Sequence, residues 1–241
     1  MKSYSFVIGA SGGIGKAVVK ELALTSDKVF AVSRRPIDTT EYPDKVVTTQ
    51  ILEQNEKNIG EFVSDLKGQG INLNTVVITT GFLHNSDRDI LPEKRLEDIS
   101  EVALREYFAT NTIIPALWLK HLIGVMNKDV STLVCLSARV GSITDNELGG
   151  WYGYRASKTA LNMLMKTASV EYKRRLKDVV LVCYHPGTVD TELSEPFQKN
   201  VAVNKLFTPF FTAGQLVKHI SSLDRSKACH FIDWDGQVVT W

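Results

Sequence analysis

Tyr154 and Lys158 are two residues whose types and spacing together suggest proton-transfer chemistry. Four positions apart, their side chains share one face of a helix. A free tyrosine has a pKa of about 10, and a cation held nearby favours the phenolate and lowers that pKa. Tyr154 would then serve as a general acid and base, whereas Tyr152 has only Ala156 four residues on. Such a pair alone is also typical of ordinary helix surfaces.

Two polar residues upstream stand out from apolar surroundings. Ser137 closes the predicted strand STLVCLS, residues 131–137. Asn111 lies inside a long predicted helix, residues 102–126, where an asparagine is unfavourable unless its side chain has a hydrogen-bond partner. Both are therefore candidates for the same site as Tyr154.

A glycine-rich turn follows the first predicted strand, with the spacing Gly9-x-x-x-Gly13-Ile14-Gly15. Glycines here permit a tight turn and a close approach of backbone to a pyrophosphate, and the helix start offers unpaired N–H groups. The residues assigned to the nucleotide are Gly9, Ser11, Gly13, Ile14 and Gly15. The alternative is a plain glycine-rich turn between a strand and a helix.

The second predicted strand ends in Ser33-Arg34-Arg35. An acidic residue at this place binds the adenosine ribose of NAD, whereas arginine accommodates a 2′-phosphate. The sequence therefore favours NADP(H) over NAD(H), with a solvated basic turn as the alternative.

Short apolar strands alternate with helix-length segments along the chain. The predicted strands are residues 5–10, 28–33, 46–51, 75–81, 131–137, 179–185 and 229–234, and the predicted helices are residues 14–24, 56–67, 102–126, 156–176 and 213–223. This alternation predicts an α/β fold with a parallel sheet covered by helices on both faces. No break in composition divides residues 1–241, so we expect a single domain, with a ligand loop near residues 187–212.

Composition and charge exclude several classes of function. The formal net charge of +1 argues against a nucleic-acid binder, and no apolar run is long enough to span a membrane. Cys135 and Cys183 lie in apolar runs, and with Cys229 they predict reduced thiols in a cytoplasmic protein. His84 and His185 lack metal-ligand spacing, so we expect no metal site.

These motifs, with Pro186-Gly187, occur in the order seen in the short-chain dehydrogenase/reductase family, which the whole chain resembles. The stretch SARVGSITDNELGGWYGYRASKTALNML is most similar to the sniffer-like carbonyl reductases and the C-factor-like bacterial proteins. The resemblance implies a doubly wound parallel sheet of about seven strands, the Rossmann fold. It also implies a nicotinamide cofactor and a Ser-Tyr-Lys centre supported by Asn.

The resemblance further implies a role for each matched residue. Tyr154 would protonate a carbonyl oxygen, Lys158 would bind the nicotinamide ribose and lower the tyrosine pKa, and Asn111 would hold a relay water through its backbone. The remaining cofactor contacts would be Pro186, Gly187, Val189 and Thr191 at the carboxamide, Gly81 along the adenosine, and Glu53 at the adenine.

The sequence departs from the family pattern at three places. Ile8 stands where Thr is usual, and the fourth strand ends in residues 78–81, ITTG, rather than NNAG. The usual second serine of a Ser-Ser pair is Ala138 here. Ser137 is therefore our candidate for holding the substrate oxygen, with Ser142 as the alternative.

Two functions remain open from the sequence. The first is an NADP(H)-dependent carbonyl reductase or alcohol dehydrogenase acting on a small, largely apolar aldehyde, ketone or quinone. The second is a catalytically weak nucleotide-binding signalling or regulatory protein of the C-factor type. The family resemblance also implies a homodimer or homotetramer. The sequence leaves three roles open for four phenylalanines in or near the ligand loop: an apolar lid over the substrate, packing in the core, or contact with another subunit. They are Phe197, Phe207, Phe210 and Phe211.

Overall fold

The computed structural model describes residues 2–40 and 42–241. Its strands are β1 (Tyr4–Ile8), β2 (Lys28–Ser33), β3 (Val46–Gln50), β4 (Leu73–Ile78), β5 (Ser131–Leu136), β6 (Val179–His185), β7 (Thr188–Val189), β8 (Leu206–Phe207) and β9 (Cys229–Asp233). Seven of them form one parallel sheet in the order β3-β2-β1-β4-β5-β6-β9, and β7 pairs with β8. The predicted α/β fold with about seven parallel strands is confirmed.

The described residues form six α-helices, five of which cover this sheet. They are α1 (Gly13–Thr25), α2 (Glu56–Gly68), α3 (Glu101–Phe108), α4 (Ile114–Leu122), α5 (Tyr152–Arg175) and α6 (Pro209–Ser221). Helices α1 and α6 pack on one face, and α2, α4 and α5 on the other. In β1, Phe6 belongs to the core that contains Trp118, whereas Val7 belongs to the core that contains Leu216. Successive strand residues thus enter opposite cores, as a doubly wound sheet requires.

The strand order reverses between β1 and β4, which are neighbours in the sheet. The connections from β1 and from β4 leave their carboxyl ends in opposite directions, and the crevice between them is where open α/β sheets bind ligands. The glycine-rich turn after β1 and the segment after β4 therefore border the candidate site.

The predicted helix over residues 102–126 is wrong in one respect, because the structure divides it. A π-helical turn, Ala109–Ile113, separates α3 from α4, and α4 ends at Leu122. Pro115 has no N–H, so it cannot donate to the carbonyl of Asn111 four residues earlier, and the wider turn accommodates this loss.

The ligand loop and the three cysteines complete the comparison with the sequence. Helix α6 begins at Pro209, so the loop between β6 and α6 covers residues 186–208 and contains β7 and β8. Cys135, Cys183 and Cys229 are buried free thiols. Among the described residues, no helix has the length and apolar character needed to cross a membrane.

Candidate active site

The turn between β1 and α1 packs closely against neighbouring chain at each motif glycine. Gly9 has a φ of +86°, and a Cβ there would lie 2.6 Å from Thr79 Oγ1. A Cβ on Gly13 would lie 2.6 Å from Thr191 Cγ2, and one on Gly15 would collide with the Gly9 carbonyl oxygen. Side chains are therefore excluded at these three positions, and the backbone N–H groups at the start of α1 can bind an anion.

Two overlapping cavities of about 410 and 550 Å³ extend from this turn along the carboxyl ends of β1, β2 and β4. Both are lined by Ser11, Gly12, Arg35, Thr79 and Gly81; Gly13, Ile14, Gly15 and Thr191 line the first, and Gly9, Ser33 and Arg34 line the second. We call these two cavities the nucleotide cleft. The structure therefore brings together most of the residues that the sequence assigned to the nucleotide.

Arg34 and Arg35 give the nucleotide cleft positive charge at the end of β2. Ser33 Oγ donates to the carbonyl oxygen of Arg35, and Gln50 Nε2 donates to that of Arg34 at 3.0 Å. These bonds hold the backbone while both arginines are exposed, and Arg35 Nη1 lies 3.8 Å from Glu192 Oε2. A guanidinium group can bind a phosphate through two parallel hydrogen bonds, so the residues present fit a 2′-phosphate.

Glu53 is not among the residues that line the nucleotide cleft. Its side chain is exposed, and Glu53 Oε2 accepts a hydrogen bond from Asn55 Nδ2 at 3.2 Å. Its neighbours Leu52 and Gln54 line the cleft instead, and Gln54 Oε1 accepts a bond from Trp118 Nε1 at 3.0 Å. The structure thus separates Glu53 from the other predicted contacts, although adenine contact by this residue stays an untested prediction.

Tyr154 and Lys158 lie on the first two turns of α5, with the Lys158 Nζ 5.8 Å from the Tyr154 ring centre. Lys158 Nζ donates to the carbonyl oxygen of Leu136 at 2.9 Å. A Cβ added to Gly81 would lie 3.9 Å from both Lys158 Nζ and Asn111 Oδ1. Lys158 and Asn111 therefore lie close to Gly81, which lines both cavities of the nucleotide cleft, and the adenosine contact of Gly81 stays a prediction.

Burial governs the charge state of this tyrosine–lysine pair. It raises the pKa of Tyr154 well above its ordinary value and lowers the pKa of Lys158 to about 8. The expected lowering of the tyrosine pKa by Lys158 is absent in the structure, because desolvation is the dominant effect and the amine is bonded to Leu136 O. Tyr154 therefore keeps its proton at neutral pH and has one to give.

Asn111 lies in the π-helical turn and is completely buried. Its Oδ1 accepts from Phe82 N at 2.8 Å, while Nδ2 donates to Phe82 O at 2.9 Å and to Ser157 Oγ at 3.0 Å. These bonds join the segment after β4 to α5, which explains the asparagine in an apolar helix. With Pro115 unable to donate, the Asn111 carbonyl lacks its ordinary helical partner.

The two candidate serines occupy different surroundings. Ser137 lines a third cavity and donates from Oγ to Asn162 Oδ1 at 2.6 Å. Ser142 lies outside that cavity, where its Oγ accepts from Asp145 N at 3.1 Å and lies 3.4 Å from Thr240 Oγ1. Ala138 lines the same cavity as Ser137 and packs in the apolar cluster that contains Tyr154. The geometry favours Ser137 over Ser142, but the hydroxyl proton of Ser137 is directed to Asn162.

This third cavity, which we call the substrate cavity, has a volume of about 380 Å³ and shares Ile14, Thr191 and Leu193 with the nucleotide cleft. Its wall includes Tyr154 and the four predicted carboxamide contacts, Pro186, Gly187, Val189 and Thr191. The apolar part of the wall is formed by Leu83, Val140, Trp151, Leu193, Phe197 and Val201. The two spaces therefore meet beside the residues that the sequence placed at the reacting end of the cofactor.

The loop phenylalanines divide between two aromatic clusters. Phe197 lines the substrate cavity with its ring centre 5.1 Å from that of Trp151. Phe207 and Phe211 pack instead on Trp234, with ring centres 4.4 and 6.0 Å away. Phe210 is about half exposed. Of the four, only Phe197 is placed to cover a substrate.

Glu93 was not identified from the sequence, yet it fixes the start of the helix that carries Tyr154. It is 2% exposed; its carboxylate oxygens each lie 3.2 Å from Gly153 N, and its carbonyl oxygen accepts from Trp151 N at 2.5 Å. Trp151, at the N-cap position, has a φ of +53° and makes no side-chain capping bond. A carboxylate from a loop 60 residues away therefore caps α5 and complements the positive end of its dipole.

The signal that could have located Glu93 is weak. It lies in the mixed-charge run PEKRLED, residues 92–98, which is typical of a solvated loop. Lys16 is a second residue that was missed, and it lines the nucleotide cleft beside Arg35.

Comparison with known proteins places these features in a family. A family model described as short chain dehydrogenase matches residues 4–202. The 1-hydroxy-2-glutathionyl-2-methyl-3-butene dehydrogenase of Rhodococcus sp. (strain AD45) is 24% identical over 240 residues, which is 98% of this chain and 98% of that protein. The C-signal protein of Myxococcus xanthus is 29% identical over 147 residues, which is 61% of this chain and 83% of that protein.

Solved structures resemble this one over its whole length. The NADPH-bound carbonyl reductase from chicken fatty liver matches with a TM-score of 0.84 and 24% identity, and the Sniffer carbonyl reductase of D. melanogaster matches with a TM-score of 0.83 and 22% identity. In both comparisons the alignment covers 100% of each chain. At this identity the likeness establishes the shared fold.

Proposed function

Because the chain belongs to the short-chain dehydrogenase family and is an oxidoreductase, we propose that it is an NADPH-dependent carbonyl reductase of small, largely apolar aldehydes, ketones or quinones. One observation carries the proposal. Tyr154, protonated at neutral pH, lines a largely apolar cavity that continues into a cleft with two arginines at its far end.

The nucleotide cleft would hold NADP(H). The glycine turn supports a pyrophosphate there, since Gly12, Gly13 and Gly15 bring backbone at the start of α1 to the wall of the cleft with no side chain in front of it. Arg34 and Arg35 support a 2′-phosphate, and one similar structure is named as NADPH-bound. The bound cofactor would supply the hydride in reduction.

The proton would come from Tyr154, whose hydroxyl would donate to the carbonyl oxygen as that oxygen gains negative charge. Lys158 would bind the ribose by exchanging its bond to Leu136 O, and its positive charge would then stabilise the tyrosinate that forms. The Asn111 carbonyl would hold a water that returns the proton. Ser137 would hold the substrate oxygen by exchanging its bond to Asn162.

The regulatory alternative receives less support from the site. A protein that only binds a nucleotide does not need a protonated tyrosine on the wall of a second cavity. It also does not need Lys158 or the π-helical turn that contains Asn111. Tyr154 lines the substrate cavity, and Lys158 lies near Gly81 of the nucleotide cleft. Turnover is therefore the function that the arrangement favours.

We also propose a cytoplasmic homodimer or homotetramer. Met163 and Val170 lie seven residues apart on α5 and are 66% and 47% exposed, so one face of this helix carries two exposed apolar side chains, with Lys166 and Thr167 between them. Burial of that face between subunits would account for it. Sedimentation equilibrium would give the mass, and a monomer at micromolar concentration would contradict the proposal.

The function is tested by screening NADPH oxidation against a panel of aldehydes, ketones and quinones. For any substrate found, Tyr154→Phe should reduce kcat at least about 100-fold, because it removes the proton donor. NADPH affinity should change less than about 3-fold. Tyr152→Phe is the matched control, since it removes a hydroxyl two residues away on the same helix. Unchanged turnover in Tyr154→Phe, or no turnover with the whole panel, would contradict the proposal.

A further inference from the structure

His185 ends β6 and lines the substrate cavity, but the mechanism above does not use it. Its Nδ1 is buried without a hydrogen-bond partner among the described residues. The buried Nδ1 of His84 and Nε2 of His121 also lack a partner, but neither of those two histidines lines this cavity. An imidazole with unmet hydrogen-bonding capacity on a cavity wall is costly unless a ligand uses it.

Nearby charges do not keep the imidazole of His185 protonated at neutral pH. Burial lowers the pKa of His185 to about 4 and Arg139 acts in the same direction, while the Asp233 and Asp145 carboxylates oppose them. Arg139 Nη2 binds Asp233 Oδ2 at 2.7 Å, so the carboxylate opposite His185 in the β6–β9 pairing is already neutralised. The ring is therefore neutral at pH 7, with one nitrogen that donates and one that accepts.

Three other polar side chains on this wall are bonded to the protein. Ser137 donates to Asn162, Arg139 binds Asp233, and Ser194 Oγ donates to the carbonyl oxygen of Val189 at 2.5 Å. His185 Nδ1 differs from these three groups by having no such partner.

We propose that His185 binds a second hydrogen-bonding group of the substrate, so that the preferred substrates carry a hydroxyl or a second carbonyl beside the one that is reduced. This inference rests on the proposed function, because it takes the substrate cavity as the site of a carbonyl compound. Tyr154 then acts on the reacting oxygen, while His185 selects for the second polar group. The apolar part of the substrate occupies the space beside Trp151 and Phe197.

The test compares two ketones that differ only in the second carbonyl, 1-phenylpropane-1,2-dione and 1-phenylpropan-1-one. The ratio of kcat/KM for the dione to that for the monoketone should fall about 3- to 10-fold in His185→Phe, which keeps a ring and loses the hydrogen bond. The intrinsic reactivities of the ketones are the same for both enzymes, so they cancel in this comparison. His185→Gln, which retains a donor and an acceptor, should stay within about 2-fold of the wild-type ratio.

The matched control is His219→Phe, because His219 bonds to Trp234 O and lies outside the substrate cavity. Its ratio should equal that of the wild type. An equal loss for both ketones in His185→Phe would indicate a structural role and overturn the inference. An unchanged ratio would overturn it too, as would a fall in NADPH affinity that accounts for the whole effect.

Binding is measured alongside turnover, as quenching of tryptophan fluorescence by each ketone, since Trp151 lines the cavity. The ratio of the two dissociation constants should change by the same 3- to 10-fold in His185→Phe. This measurement reports on His185 whether or not the ketones are reduced. Failure of the proposed function appears as absent NADPH oxidation, whereas failure of the inference appears as unchanged ratios in both measurements.

Discussion

The nucleotide cleft and the substrate cavity meet at Thr191 but are built from different kinds of contact. The glycine turn of the cleft depends on the absence of side chains, because a Cβ on Gly9, Gly13 or Gly15 would collide with neighbouring atoms. The substrate cavity is shaped by side chains from segments distant in sequence, among them Tyr154. Local sequence can therefore specify the glycine turn, whereas the substrate cavity depends on the tertiary fold.

The difference extends to how each region is held in place. The glycine turn follows directly from β1, and Gly9 N and Ala10 N both donate to the carbonyl oxygen of Val32 in the neighbouring strand β2. Helix α5, by contrast, needs Glu93 at its first turn and Asn111 through Ser157. The substrate side should therefore be sensitive to substitutions far from the reacting atoms, while the nucleotide side should tolerate them.

Replacement of Glu93 by Ala should have the largest effect among the predictions for this comparison. Loss of the α5 cap would shift Tyr154 relative to the substrate, and displacements of about 1 Å can cost about 100-fold in rate. We expect kcat to fall about 10- to 100-fold in steady-state assays, while NADPH affinity changes less than about 3-fold.

Glu93→Gln keeps a side-chain oxygen for Gly153 N and should restore most of that kcat, which distinguishes positioning from general loss of fold. Glu97→Ala, an exposed acid in the same loop, is the matched control. A parallel loss of NADPH affinity in Glu93→Ala would show that the two regions are not independent.

Arg34→Glu tests the nucleotide side and should have the next largest effect. A lost charge-assisted hydrogen bond to a 2′-phosphate corresponds to about 10- to 100-fold in affinity. The dissociation constant for NADPH, measured by tryptophan fluorescence quenching, should rise by that factor, and that for NADH should not rise. Arg174→Glu, at the far end of α5, is the control. Equal affinity of the unmodified protein for NADPH and NADH would contradict the assignment of Arg34.

The success of sequence-based prediction follows this division. The sheet, its seven strands and the glycine turn were predictable because apolar runs and glycine spacing are local signals. Asn111 was found because it was out of place in an apolar helix. The π-helical turn around it was missed, although Pro115 gives a physical reason for that turn.

Glu93 and the unmet hydrogen bonds of His185 were beyond the sequence. The role of Glu93 depends on its contact with Gly153 N, which lies 60 residues away in sequence. The lack of a partner at His185 depends on the neighbouring strand, where the opposite residue, Asp233, is already bound by Arg139. The charge balance at Tyr154 was missed for a related reason. The Tyr-x-x-x-Lys spacing indicates that the cation is near, but it does not report that burial outweighs the cation's effect.

The serine substitutions should have the smallest effect, and they test whether the substrate side relies on one hydroxyl. The hydroxyl of Ser137 donates to buried Asn162, so Ser137→Ala should lower kcat only about 3- to 10-fold, the cost of one neutral hydrogen bond. Ser142→Ala should leave kcat unchanged, because Ser142 lies outside the substrate cavity. Ala138→Ser, which adds a hydroxyl to the cavity wall, should compensate for Ser137→Ala in the double variant. A loss of about 1,000-fold in Ser137→Ala would instead make that hydroxyl indispensable and require its bond to Asn162 to break in every turnover.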